Sequence, residues 1–203
     1  RYSPGEIDAT YGGNLQQAVS AYQAAQGLPV TGVVDAGTWA ALNADLAPAL
    51  TVYTLVAEDV AGPFVVIPAK TAAKAKLKAL GYSSALEALG EKFHASPRLL
   101  RELNPDANFS NAGELIRVPN VANAAPVLGA VKVIVDKSDH AVSLVDAAGK
   151  VLARYPASTG SERDPLPIGD WKINGIARNP WFDYNPALFW DAAPDSKKAK
   201  LAP

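Results

Sequence analysis

The sequence predicts a multi-domain α+β chain: a small helical module, then an α/β module, then a mostly-β region. Three observations predict it. Proline-bearing breaks at Pro48 and over 120–130 divide the chain. Before the second break, apolar residues recur mainly at helical spacing. From Val131 they recur at every second position, the period of a strand. The 203 residues are 49% apolar, enough for several small cores and too many for wholesale disorder.

Composition also excludes function classes. Lys+Arg 19 against Asp+Glu 20 gives a net charge of −1, which offers nothing to nucleic acid or to an anionic membrane. No apolar run is long enough for a membrane span, and no secretory signal pattern stands in the sequence. There is no cysteine, hence no disulfide, thiolate metal site or thiol nucleophile among these residues. No metal or cofactor is expected. There is no methionine either, so the chain is expected to begin at Arg1 through processing, truncation or loss of order.

The helical module is expected over 1–47. Asn14 is placed to cap a helix whose apolar stripe is Leu15, Ala18, Val19, Tyr22 and Ala25, and Gly27 is placed to end it. Asp35 is the expected cap of a second short helix carrying Trp39 and Leu42. Tyr22 and Trp39 are read as core, the usual fate of helically spaced aromatics.

The α/β module is expected over 50–119. Residues 52–56 alternate as a strand, and 64–67 read as another. Residues 69–80 form a lysine-rich helical segment, with Lys70, Lys74, Lys76 and Lys78 on a solvated face. Ser84 and Glu87 make a capping box for a helix with Leu86, Leu89 and Phe93 inward. Ser96 and Pro97 start the next helix, which carries Leu99, Leu100 and Leu103 and stops at Asn104-Pro105. Residues 114–118 close the module as a strand. Residues 120–130 are small and proline-interrupted, a linker.

The β region is expected over 131–203. Strands at 131–135, 141–145 and 151–157, joined by short turns, form a meander. The loop STGSERDPLPIGDWKI (158–173) then leads to a fourth strand at 170–176. Pro165 and Pro167 fix φ there, and Gly169 permits a conformation other residues avoid, so the loop is read as scaffold.

These patterns resemble known families. GGN at 12–14, AVSAYQ at 18–23, GLPVTGVVD at 27–35 and TWAAL at 38–42 resemble a peptidoglycan-binding type-1 module whose first helix is missing. YTLVAEDV at 53–60, LLRELNP at 99–105 and GELIRVP at 113–119 resemble a LysM module with an insertion of about twenty residues, longer than an ordinary loop. VIVDKSDHAVSLVDAAGKVLARYPASTG at 133–160, with DPLPIGDW at 164–171, resembles the opening of a YkuD-like L,D-transpeptidase catalytic domain. NPWFDYNPALFWD at 179–191 looks like that family's substrate-side segment.

The resemblance implies a secreted bacterial cell-wall enzyme in the periplasm or envelope. It implies a cysteine thiolate attacking a stem-peptide carbonyl, a histidine activating it, and backbone N–H groups holding the oxyanion. The family's histidine and cysteine motifs are expected beyond Pro203, so the chain is expected to be a fragment, inactive alone, with no catalytic residue of its own. His94 and His140 are read as ordinary histidines, and Ser158 and Ser161 near Asp164 lack a histidine base. Trp181, Phe182, Tyr184 and Trp190 are the candidate substrate-binding residues, stacking on sugars or lining a groove; a partial core is the competing reading. Peptidoglycan is the expected partner. A complementary C-terminal fragment is the second, left by a nick near Pro203 in the basic segment 196–200. It would cover an unpaired strand edge and exposed apolar residues. The alternative is a non-enzymatic peptidoglycan-binding or adaptor protein.

Overall fold

The structure, a computed structural model, describes residues 1–121 and 126–203. Part of the expected linker, 122–125, lies outside the described residues.

Helix α1 (Gly13–Gln26) is capped by Gly12, not by Asn14. The cap must be extended and must offer its carbonyl to the first helical bond. Gly12 does both, with ψ −177° and its oxygen accepting Gln16 N–H at 3.0 Å. Gly27 ends the helix in the left-handed conformation at φ 68°. Helix α2 (Ala36–Leu42) starts where Asp35 accepts the Thr38 N–H at 2.8 Å. Ala18 and Val19 supply the buried apolar side chains of this unit. Trp39 does not join them: it is 61% exposed, which overturns its reading as core. Tyr22 is half-buried, edge-on to Tyr2 with ring centroids 6.4 Å apart.

The central unit follows the expected order of strand, helix, helix, strand. Strand β1 (Leu50–Thr54) pairs antiparallel with the distant β2 (Leu115–Pro119), Val52 opposite Arg117. The two main helices between them close the core. Helix α5 (Ala85–Phe93) buries Leu86, Leu89 and Phe93, and α6 (Pro97–Leu103) buries Leu99 and Leu100. Leu55, Ala95, Phe109, Ile116 and Val118 join this cluster. The capping box is half realised. Ser84 accepts the Glu87 N–H at 3.2 Å, while the Glu87 carboxylate turns to the N–H and hydroxyl of Ser83.

The segment between β1 and α5 departs most from expectation. It holds α3 (Ala57–Val60) and a single helical turn, α4 (Thr71–Lys74), in place of a helix over 69–80. An alanine–lysine stretch without an apolar face has little to dock, and a short helix is marginal without docking. The strand expected at 64–67 does not form; one backbone bond runs from the Val65 N–H to the Tyr82 carbonyl at 3.0 Å.

The meander is present: β3 (Lys132–Asp136), β4 (Ala141–Val145) and β5 (Val151–Pro156) form an antiparallel sheet in that order. Its burial is one-sided in sequence. Ala141, Val145 and Ala153 are buried, but every residue of β3 is exposed, so the Val131/Val133/Val135 alternation does not mark a buried face. The fourth strand at 170–176 does not form; Trp171, Ile173 and Ile176 lie open, the last 93% exposed. A strand exists only by pairing, and no neighbour runs alongside it among the described residues. A small ribbon follows, β6 (Phe182–Tyr184) against β7 (Ala199–Leu201). The expected protease-prone segment 196–200 thus runs into a strand, with Leu201 and Ala202 buried.

The first eight residues join the units. Tyr2 forms a parallel bridge with Arg154 on β5, and Ile7 one with Ala95 in the central core. Each is backed by two backbone bonds of 2.7 to 2.9 Å.

One ionic cluster ties β1 to α5. Lys92 donates to Asp59 at 2.7 Å and to the Tyr53 hydroxyl at 2.5 Å, and Tyr53 donates to Asp59 at 2.8 Å. Burial pushes the Asp59 carboxyl up, but bonds from Lys92, the Val56 N–H and Tyr53 outweigh it and hold it below the usual carboxylate range. A depressed carboxylate contributes stability above its unfolded value, near ~3.9, and that contribution fades as pH falls through the folded value. Asp59→Asn should therefore lower the urea midpoint at neutral pH, with the gap to wild type closing below about pH 4. A gap unchanged from neutral pH to well below 3 would show that the charge contributes nothing.

Candidate functional site

The helical unit is organised around a polar residue. Gln23 is fully buried at the end of α1. Its amide nitrogen donates to the Thr38 hydroxyl at 2.8 Å, the Val33 carbonyl at 2.9 Å and the Thr31 hydroxyl at 3.0 Å. Its amide oxygen accepts the N–H groups of Thr31 and Gly32, both at 2.9 Å. One side chain therefore fixes the turn between the helices and the first turn of α2. Tyr11 adds a bond from its hydroxyl to the Gly32 carbonyl at 2.6 Å. Around this frame Tyr11, Val30, Val33 and Trp39 stand exposed. Pro4 and residues 6–15 line an open hollow of about 770 Å³ beside them. The sequence drew attention to Tyr22 and Trp39; Gln23 closes the motif AVSAYQ, but nothing in the motif announced its burial or its bonds.

In the β region the loop at 158–169 is a tight hairpin. Gly160 and Pro165 form an antiparallel bridge, the Ser161 N–H donates to the Asp164 carbonyl at 3.0 Å, and Leu166 N–H to the Thr159 carbonyl at 3.2 Å. The Asp164 N–H donates to Ser161 Oγ at 3.0 Å, so that hydroxyl serves the turn. Thr159 is buried, with its hydroxyl 2.6 Å from His140 Nδ1. His140 therefore anchors the loop to the β3–β4 turn. His94 caps α5 at φ 51° and offers its carbonyl to Ile7.

The four candidate aromatics are split between two arrangements. Phe182 and Tyr184 sit on β6 and both meet Phe189, Tyr184 stacked at 5.3 Å and Phe182 edge-on at 6.5 Å. A short 3-10 turn, Pro186–Leu188, folds Phe189 back onto the strand; Asn185 opens it by accepting the Ala187 N–H. Trp181 and Trp190 stay out of this cluster. Lys200 lies 5.8 Å from the Trp181 ring, and the Arg163 guanidinium 4.4 Å from the Trp190 ring. Arg163 thereby connects the hairpin loop to the aromatic segment. Trp181, Phe182 and Trp190 are each more than half exposed, and Tyr184 is half-buried. Phe189, which the sequence reading did not select, is the centre of the cluster.

Among the described residues no group of three or more His, Cys, Asp or Glu is arranged to hold a metal ion. Among them also no helix is long and apolar enough to cross a membrane.

Comparison with protein families gives two matches. Residues 1–42 match the model for a putative peptidoglycan binding domain. Residues 130–202 match the model for the L,D-transpeptidase catalytic domain. No curated protein matches the chain.

Proposed function

We propose that this chain, in which a peptidoglycan-binding domain precedes an L,D-transpeptidase catalytic domain, belongs to a bacterial enzyme that crosslinks stem peptides outside the cytoplasm. The observation that carries the reading is the pairing itself: one end matches a domain that holds the wall, the other a domain that joins its peptides. The reaction is an acyl transfer through a cysteine thioester. These 203 residues hold no cysteine, so in this reading the thiol comes from another polypeptide segment. The exposed strand β3 and the open side chains of Trp171, Ile173 and Ile176 are a surface such a segment would cover. The central unit, read as LysM-like, spaces the two or adds a glycan contact. A non-enzymatic peptidoglycan-binding protein is the second reading, favoured by the same absence of a thiol.

The test has two arms. The protein should sediment with purified sacculi, and failure to do so removes the wall-binding reading. Incubated alone with disaccharide-tetrapeptides it should form no 3–3 crosslinked dimer; addition of a cysteine-bearing segment that restores activity supports the enzyme over the adaptor. Crosslinking by these residues alone would sink the thioester route.

Trp181 and Trp190 are proposed to stack on the sugar or the stem peptide. The double variant Trp181→Ala/Trp190→Ala should keep the wild-type unfolding midpoint, since both rings are largely open. Its retention on sacculi should fall by about tenfold, as loss of one to two aromatic contacts implies. Unchanged retention would leave these rings as surface.

A further inference from the structure

We infer that the lysine-rich surface where residues 70–80 run beside the C-terminal strand β7 docks on an anionic phospholipid bilayer. The near-neutral total charge gave a membrane nothing to hold, but that total conceals a local imbalance. Residues 69–80 carry Lys70, Lys74, Lys76 and Lys78. Residues 196–203 carry Lys197, Lys198 and Lys200, and neither segment contains an Asp or Glu. The two are distant in sequence, yet the fold joins them. Helix α4 packs beside β7, and the Leu80 N–H donates to the Pro203 oxygen at 3.2 Å. All of these lysines except Lys74 are exposed. Among the described residues none of them forms a salt bridge. Asp183 stands opposite Lys200 in the ribbon without pairing to it, and Asp195 lies just ahead of the second segment. Two carboxylates at its border leave the surface strongly positive.

Charge alone would suit any polyanion. The apolar side chains beside the lysines favour a bilayer. Trp181 is 55% exposed, with Lys200 Nζ 5.8 Å from its ring. At the far end of the first lysine segment, the bond from Val65 to Tyr82 brings two more open side chains, Val66 at 87% exposure and Tyr82 at 43%. A dissolved polyanion gains nothing from these groups. At a bilayer surface, Trp and Tyr rings settle at the level of the headgroups and aliphatic side chains enter the acyl boundary. Lysine ammonium groups meet the lipid phosphates there while their stems lie along apolar surface. The contact is peripheral, since it uses loops and a short ribbon. Trp181 also figures in the wall contact proposed above, so the lysines carry the test. The inference does not rest on that proposed function.

The test is cosedimentation of the full chain with vesicles of phosphatidylglycerol and phosphatidylcholine in equal parts, and with vesicles of phosphatidylcholine alone. The protein should bind the first and not the second. Salt at about 0.5 M should release it, because screening shortens the reach of surface charge. The variant Lys76→Gln/Lys78→Gln/Lys197→Gln/Lys198→Gln should bind about a hundredfold more weakly or worse, at about fivefold per lysine. Lys132→Gln/Lys137→Gln/Lys150→Gln/Lys172→Gln makes the same change in net charge at exposed positions elsewhere, and should stay within a few fold of wild type. Urea midpoints report that both variants are folded. No binding to anionic vesicles, equal binding to neutral ones, or equal losses in the two variants would each overturn the site. Long-chain inorganic polyphosphate is the last arm. If the chain binds it as tightly per phosphate as it binds the anionic vesicles, charge alone is being recognised and the bilayer is overturned as the partner.

Discussion

Replacing Gln23 with leucine should unfold the N-terminal helical unit at a cost of about 3 kcal/mol or more, although leucine is apolar and similar in size. The unit has few buried apolar residues, Ala18 and Val19 among them, so its packing reserve is small. Gln23 replaces that reserve with a satisfied polar centre. Leucine would leave the buried Gly32 N–H without its acceptor and the buried Thr38 hydroxyl without its donor. Each orphaned buried group costs roughly 1–3 kcal/mol. Glutamate is no remedy: it restores the acceptor but sets a buried carboxylate against the Val33 carbonyl. Hydrogen exchange of the Thr31 and Gly32 amides, with the denaturant midpoint, checks this. Wild-type protection in Gln23→Leu would mean the turn is held by other contacts. Ser20→Ala, which removes only a bond from the Ser20 hydroxyl to the Gln16 carbonyl within α1, should stay within about 0.5 kcal/mol.

Gln23 also marks the boundary of what the sequence made legible. Features set by neighbours along the chain were readable. Gly27 ends α1, Asp35 and Ser96 cap α2 and α6, and Pro97 sits in the first turn of α6, all by local backbone chemistry. The core faces of α5 and α6 follow from their spacing, because a helix presents every third and fourth residue to one side. Features set by distant partners were not. Residues 170–176 have strand composition but no described strand beside them, and β3 has alternating valines but every one of its residues is exposed. Trp39 has core spacing on a helix too short and too thinly covered to hide it. The site divides along the same line. The proline hairpin and the aromatic segment were visible as motifs, while their connection through Arg163 and Trp190 was not. The lysine surface depends on two segments distant in sequence, 70–80 and 197–203, and no local pattern announces their meeting.

Gly160→Ala should open the hairpin at 158–169 and destabilise the β region by about 2–4 kcal/mol. Two effects act together. Gly160 sits at φ +83°, where an L-residue pays about 1–2 kcal/mol. The added Cβ would also lie 2.1 Å from the Asp164 carbonyl oxygen and 3.1 Å from the Leu166 nitrogen. Both are backbone atoms, so no rotamer change relieves the contact. The loop must spread, and the bridge to Pro165 and the Leu166 N–H bond to Thr159 go with it. Thr159 would then lose its burial and its contact with His140, which ties the loop to the β3–β4 turn. Arg163 would leave the Trp190 ring. The expected signature is local before it is global: faster exchange at the Ser161 and Leu166 amides, with altered Trp190 fluorescence, under conditions where the central unit keeps its protection. Gly149→Ala is the control. It has a similar φ of +82° but nothing within 4 Å of its added carbon, so it isolates the conformational cost from the clash. If both variants lose the same stability, the close approach to Asp164 carries no weight, and the stiffness of the loop rests on its prolines alone.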